Sequence, residues 1–236
     1  MHGANGTLAS VIEMSSPTSR TDVDIVVYDL DGVITTKDSF TALILRRLRT
    51  KPLRLLQALP AATTMLLSRR EEQRYRTARR IAEIALTGMD ERAYTKLALS
   101  LGNSIGDDPA WIRPEAVRRI RRQHADGARV IIATASEHQL AQALLARASV
   151  PYDVLSASLL AEGRSGMIVA DHRVGSRKTV ALREQQVPIE DAEFVTDSIS
   201  DLPTAQAADH VVLIGASPKT RERYARAGIK TLQPAM

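Results

Sequence analysis

From Asp24 the chain reads Asp-Ile-Val-Val-Tyr, an apolar, β-branched run that stops at Asp29 and enters a turn containing Gly32. A run of this kind predicts a central strand covered on both faces. Four later runs share its character: RVIIAT at 129–134, PYDVLSA at 151–157, AEFVTD at 192–197 and HVVLIG at 210–215. Most are separated by segments with helical spacing, such as PEAVRRIRRQHADG and EHQLAQALLARASV. Strands alternating with helices predict an α/β fold with a parallel sheet of βαβ units. Ligands of such sheets lie beyond the carboxyl ends of the strands. Three of the runs end in Asp29, Thr134 and Asp197, so polar residues gather where a site belongs.

Residues 40–107 break the alternation: they are helical in pattern, carry no convincing strand signal and predict an inserted helical unit. Its apolar stretch, PLRLLQALPAATTMLL at 52–67, follows Arg46, Arg47, Arg49 and Lys51 and contains Arg54. Arg69, Arg70, Arg74, Arg76, Arg79 and Arg80 come after it. Broken by Arg54, Gln57 and Pro60, the stretch falls short of the roughly 20 apolar residues a spanning helix needs. Apolar residues at helical spacing are more often the core of such a unit than a surface for something else. Further on, LLAEGRSGMIVADHRVGSRK predicts a hairpin or flap around Gly163 and Gly166. Residues 1–20 predict a flexible tail without the charged and apolar regions of a secretory signal. This leaves 21–39 and 108–236 as the core.

Composition narrows the chemistry. There are no cysteines, which removes disulfides, thiolate metal sites and a cysteine nucleophile and fits a cytoplasmic location. Lys and Arg outnumber Asp and Glu by 32 to 27, a formal charge of +5 that favours anionic partners.

Asp29 and Asp31 stand at i and i+2 where the first strand ends, so extended geometry sends both carboxylates to one side. Gly32 lets the backbone turn closely against an anion. Asp197 ends a second strand and Asp201 follows four residues on, one turn away if a helix begins there. Taken alone, Asp197 reads equally well as a helix N-cap. Four acids at one point call for a cation, and magnesium, a hard ion that keeps waters and shares phosphate oxygens, suits them best. Thr134, with the amide of Ala135, offers donors for a phosphate oxygen, and Lys178 offers a positive charge. Read singly, Thr134 would cap a helix starting near Ser136 and Lys178 would be a solvated surface lysine.

In order, VVYDLDGV, VIIATAS, GSRK and FVTDSISDLP resemble the four motifs of the haloacid dehalogenase (HAD) superfamily, and the insert between the first two looks like subclass IB, near the phosphoserine phosphatases. The resemblance covers about residues 24–232 and implies a Rossmann-like parallel core with an inserted helical cap domain. It implies Asp29 as the nucleophile that forms an aspartyl phosphate, Asp31 as acid and then base, and phosphate binding by Thr134, Ala135 and Lys178. Magnesium would be held by Asp29, the carbonyl of Asp31 and Asp197, with Asp201 as ligand or support. Where phosphoserine phosphatases carry a Glu after the first motif and Ser-Gly-Gly at the second, this chain has Thr35-Thr36-Lys37-Asp38 and Thr134-Ala135-Ser136, which argues against phosphoserine. The start of the insert looks more like relatives acting on lipid-linked phosphates, so the expected substrate is a small phosphorylated metabolite or a lipid phosphate, with peripheral membrane contact through the basic cap. The alternative is a non-enzymatic anion or nucleic-acid binder using the arginines. With aromatic residues at 3%, stacking platforms are scarce and nucleic acid is not the expected partner.

Overall fold

The structure is a computed structural model that describes residues 24–68 and 70–232. The expected tail at 1–20, and Arg69, lie outside the described residues. In chain order the elements are β1 Ile25–Tyr28, helices α1 Ser39–Arg49, α2 Pro52–Leu67, α3 Glu71–Leu86, α4 Glu91–Asp107 and α5 Pro114–Ala125, then β2 Arg129–Glu137, α6 His138–Arg147, β3 Val154–Gly163, β4 Gly166–Asp171, α7 Ser176–Glu184, β5 Ala192–Thr196, α8 Leu202–Ala207, β6 His210–Leu213, α9 Pro218–Arg226 and β7 Thr231–Leu232.

The strands form one sheet in the order β4-β3-β2-β1-β5-β6-β7. All neighbours are parallel except β3 and β4, which make the antiparallel hairpin expected around Gly163 and Gly166. β1 is central, with Tyr28 level with Ile132 on one side and Val195 on the other. Its apolar run alternates between two cores, as the period of two requires. Val26 and Tyr28 pack with Val130, Ile132 and the α4–α6 face, while Val27 packs with Ile131, Phe194 and Tyr224 of α9 on the other. This double burial is why the strand has no polar residue until Asp29.

The described residues of 39–107 form four helices, begun by local signals. Asp38 caps α1 by accepting from the Thr41 amide at 2.6 Å, Pro52 opens α2, and Asp90 caps α4 by accepting from Ala93 at 2.7 Å. α4 lies directly on α6. A Cβ added to Gly102 would come within 2.7 Å of the Ala143 Cβ and 2.9 Å of the Leu140 carbonyl, and one on Gly106 within 2.8 Å of the Leu144 carbonyl, so only glycine permits this approach. The hairpin tip is tied to the α3–α4 turn, with the Gly88 amide donating to the Ser165 carbonyl at 2.7 Å and Met167 to Met89 at 3.1 Å.

α2 departs from the expectation that its apolar residues would form a core. Only Ala58 and Ala61 are buried, whereas Leu53, Leu56, Leu66 and Leu67 are 74%, 62%, 81% and 78% exposed. Helical spacing shows that a helix has an apolar side, not whether another element covers it. Among the described residues no helix is long and apolar enough to cross a membrane.

Candidate active site

The carboxyl ends of β1, β2 and β5 meet α7 and the insert around a cavity of about 560 Å³, lined among others by Asp29, Asp31, Thr134, Ala135, Lys178, Asp197 and Asp201. Every site residue expected from the sequence therefore borders one space.

Lys178 lies at the bottom of this space. It is 1% exposed, and its Nζ is 2.7 Å from Asp201 Oδ1 and 3.2 Å from Asp29 Oδ1. The two carboxylates raise its pKa against the opposing effect of burial, so it is an ammonium in the interior and not a solvated surface lysine. Burial pushes the Asp29 carboxyl well above the usual range. Lys178 opposes that shift, and Asp201, Asp31 and Asp197 add to it. The Leu30 amide also donates to Asp29 Oδ1, at 2.9 Å. Among the described residues the contacts to Asp29 thus collect on one oxygen, which leaves Oδ2 as the one available for chemistry.

Asp31 is held differently. Its Oδ1 accepts from the Ser39 amide at 2.8 Å and its Oδ2 from the Ser136 hydroxyl at 2.5 Å. The Ser39 and Ser136 hydroxyls are 2.9 Å apart; since Ser136 gives its proton to Asp31, Ser39 is the donor between them. The Thr35 hydroxyl is 3.2 Å from Asp31 but 2.7 Å from the Lys37 carbonyl, where its single proton is better placed. Burial and the charge of Asp38 lift Asp31 to about 6, while the hydrogen bonds from Ser136 and Ser39 restrain the rise.

Asp197 rests on the turn after β1. A Cβ on Gly32, whose φ is +85°, would fall 2.1 Å from Asp197 Oδ2, so the turn needs glycine both for its conformation and for room. The Gly32 carbonyl accepts from Arg113 Nη2 at 3.2 Å. Burial, then Asp201, raises Asp197 to about 6. Both oxygens of Asp201 are occupied, Oδ1 by Lys178 and Oδ2 by the Thr196 hydroxyl at 2.7 Å.

Two alternative readings of single residues fail. Asp197 caps no helix, since Ser198 accepts from the Ser200 amide at the short 3₁₀ turn Ile199–Asp201. Thr134 caps none either: β2 continues to Glu137, whose carboxylate caps α6 by accepting from Gln139 and Leu140. The Thr134 hydroxyl instead accepts from the Ser136 amide at 3.0 Å, beside the Ala135 backbone. Sequence reasoning overlooked Ser39, Ser136, Thr196 and Arg113, whose partners lie up to 105 residues away. Only the position of Ser136, two residues beyond Thr134, offered a signal.

Among the described residues no three His, Cys, Asp or Glu side chains already form a metal cluster. The donor set nonetheless suits a hard divalent cation. Asp29, Asp197 and the Asp31 carbonyl offer oxygen ligands, and three carboxylates raise Asp29 against the single ammonium of Lys178, an imbalance that a cation would offset.

A family model described as haloacid dehalogenase-like hydrolase matches residues 26–206. Solved structures share the fold at low identity. A phosphoserine phosphohydrolase-like protein from Francisella tularensis is 12% identical with a TM-score of 0.60, over 90% of this chain and 95% of that one. A probable phosphoserine phosphatase from Vibrio cholerae is 18% identical with a TM-score of 0.58, over 85% of this chain but 58% of its own length. A protein of unknown function from Bordetella pertussis is 17% identical with a TM-score of 0.55, over 89% and 98% of the two chains. A search of curated proteins found no match.

Proposed function

The chain belongs to the haloacid dehalogenase-like hydrolase family, and we propose that it is a magnesium-dependent phosphatase acting on phosphate monoesters. The observation that carries this reading is the pairing of two carboxylates two residues apart with different surroundings. Asp29 sits against a buried ammonium with one oxygen uncommitted, and Asp31 is held by hydroxyl and amide donors near a pKa of 6.

In the proposed reaction Asp29 Oδ2 attacks phosphorus. The bond from phosphorus to the ester oxygen breaks, and the leaving oxygen takes the proton of Asp31. Asp31, now ionised, accepts a proton from water as that water attacks the aspartyl phosphate; the bond from phosphorus to Asp29 breaks, releasing phosphate. Splitting the displacement in two requires an acid that changes to a base between steps, and a pKa near the working pH serves both roles. Thr134, the Ala135 amide and Lys178 hold phosphoryl oxygens, while Asp201 and Thr196 keep Lys178 in place. Asp29, Asp197 and the Asp31 carbonyl would hold magnesium, which when bound neutralises charge on the phosphoryl group. Helices α1 to α3, which line the cavity, act as a cap that shields this chemistry from water. Phosphate release from a broad panel of monoesters should require magnesium; a folded protein that releases none from any member would sink the proposal.

A stability measurement addresses the metal separately. Asp197, a carboxylate proposed to hold the metal, ionises near 6 in the folded protein against 3.8 for the free side chain. A carboxyl whose folded pKa is raised contributes most below the unfolded value, and that contribution is lost as pH rises through about 6. Magnesium competes with that proton, so the rise in melting temperature it causes should be small at about pH 5 and several degrees larger at about pH 7.5. Equal shifts at both would remove Asp197 from the metal site.

A further inference from the structure

Resting on the phosphatase reading, we infer that the substrate is an amphiphile, a phosphate monoester whose ester oxygen carries a long apolar chain. The cavity of about 560 Å³ is of the size that encloses a whole organic ligand, well beyond a phosphoryl group. Its ends differ in kind. The floor is the ring of carboxylates around Lys178. Away from the floor, Ile44 and Leu48 of α1 face Leu55, Ala58, Ala62 and Met65 of α2, with α3 closing the side through Ile81. The four α2 residues recur at steps of three and four, so one side of that helix lines the cavity over ten residues, roughly 15 Å at 1.5 Å per residue. Lys37, Asp38, Thr41, Arg79, Ser158 and His172 also line the cavity, but apolar side chains predominate. Between α1 and α2 a sugar or amino-acid phosphate would set hydroxyl or charged groups against Ile44, Leu48, Leu55 and Met65, a cost an alkyl chain does not incur.

The outer side of the same helix supports the assignment. Leu53, Leu56, Leu66 and Leu67 are more than half exposed, and the exposed basic residues Arg46, Arg49 and Lys51 lie at the end of α1 and the start of α2. An apolar surface flanked by positive charge suits an anionic bilayer as the source that presents the chain.

The test is a series of n-alkyl phosphates from ethyl to decyl, assayed with magnesium below their micellar concentrations. Each methylene that enters the lane should raise kcat/KM, by up to about fourfold where it is fully buried, so the series should span at least about a hundredfold. Ala62→Arg, which places a charge in the lane at a half-buried position, should flatten the dependence. A flat profile in the wild type while ethyl phosphate is hydrolysed overturns the amphiphile and leaves the phosphatase standing; failure to hydrolyse any member overturns both. A slope unchanged in a folded Ala62→Arg variant also overturns the assignment, because the chain would then lie elsewhere. A single-chain lipid phosphate in anionic vesicles, compared with the same compound as monomer, identifies the source. Faster turnover from vesicles that is lost in Leu53→Ser/Leu56→Ser assigns a bilayer, and equal or faster turnover of monomer assigns a dispersed amphiphile.

Discussion

Asp29→Asn should lower turnover of the best phosphate monoester by at least about 10⁴-fold while leaving the protein folded. The amide is nearly the same size as the carboxylate but cannot form the acyl phosphate, so the chemical step loses its first half outright. The fold tolerates the change because Lys178 keeps Asp201 at 2.7 Å, and removing one of several mutually repelling carboxylates relieves Asp31, Asp197 and Asp201. The measurement is single-turnover and steady-state phosphate release beside a melting curve. Activity within tenfold of wild type, in a variant that melts normally, would remove Asp29 as nucleophile and reduce the carboxylate ring to an anion-repelling surface with some other purpose.

The second large effect is on stability and activity together. Lys178→Met keeps a similar volume but leaves Asp29 and Asp201 as buried carboxylates without their ammonium. Removing one partner of a buried ion pair costs about 3–5 kcal/mol, which for a chain of this length corresponds to a fall in melting temperature of roughly 10 °C. Activity should fall further than stability accounts for, because the same ammonium faces the phosphoryl group in the proposed reaction. Lys178→Arg would not rescue it, since a longer planar guanidinium does not reproduce the compact ammonium set between Asp29 Oδ1 and Asp201 Oδ1. If Lys178→Met melts within a degree or two of wild type, the pairing with Asp29 and Asp201 contributes nothing, and the stabilisation of that corner must be sought in packing.

Much of this arrangement could be read from the chain because its signals are local. The runs ending in Asp29, Thr134 and Asp197 show their strand character within a few residues, and the parallel sheet follows from the helices between them. The spacing of Asp29 and Asp31 places two acids on one side through backbone geometry alone. What could not be read depends on distant partners. Ser136 grips Asp31 across 105 residues, and Arg113 reaches the Gly32 carbonyl across 81. β7 has only two residues at the edge of the sheet and offers no periodic pattern. The outward leucines of α2 were hidden for a different reason: an apolar pattern reports a preference to be covered, and only the fold reveals that no neighbouring element among the described residues covers them.

The glycines of α4 carry a consequence for where the insert can be cut. By sequence α4 lies inside the segment that interrupts the core, but Gly102 and Gly106 bring its backbone against α6, and Tyr94 donates to the buried Glu137 carboxylate at 2.6 Å. Each glycine gives up roughly 1 kcal/mol of helix propensity, and the close contact offsets it. A minimal catalytic domain made by excising 40–107 would strip α6 of its cover, baring Leu140, Ala143 and Leu144 to solvent. An excision confined to 51–86 would keep α4 in place as part of the scaffold, so the natural seam for building chimeras lies between α3 and α4.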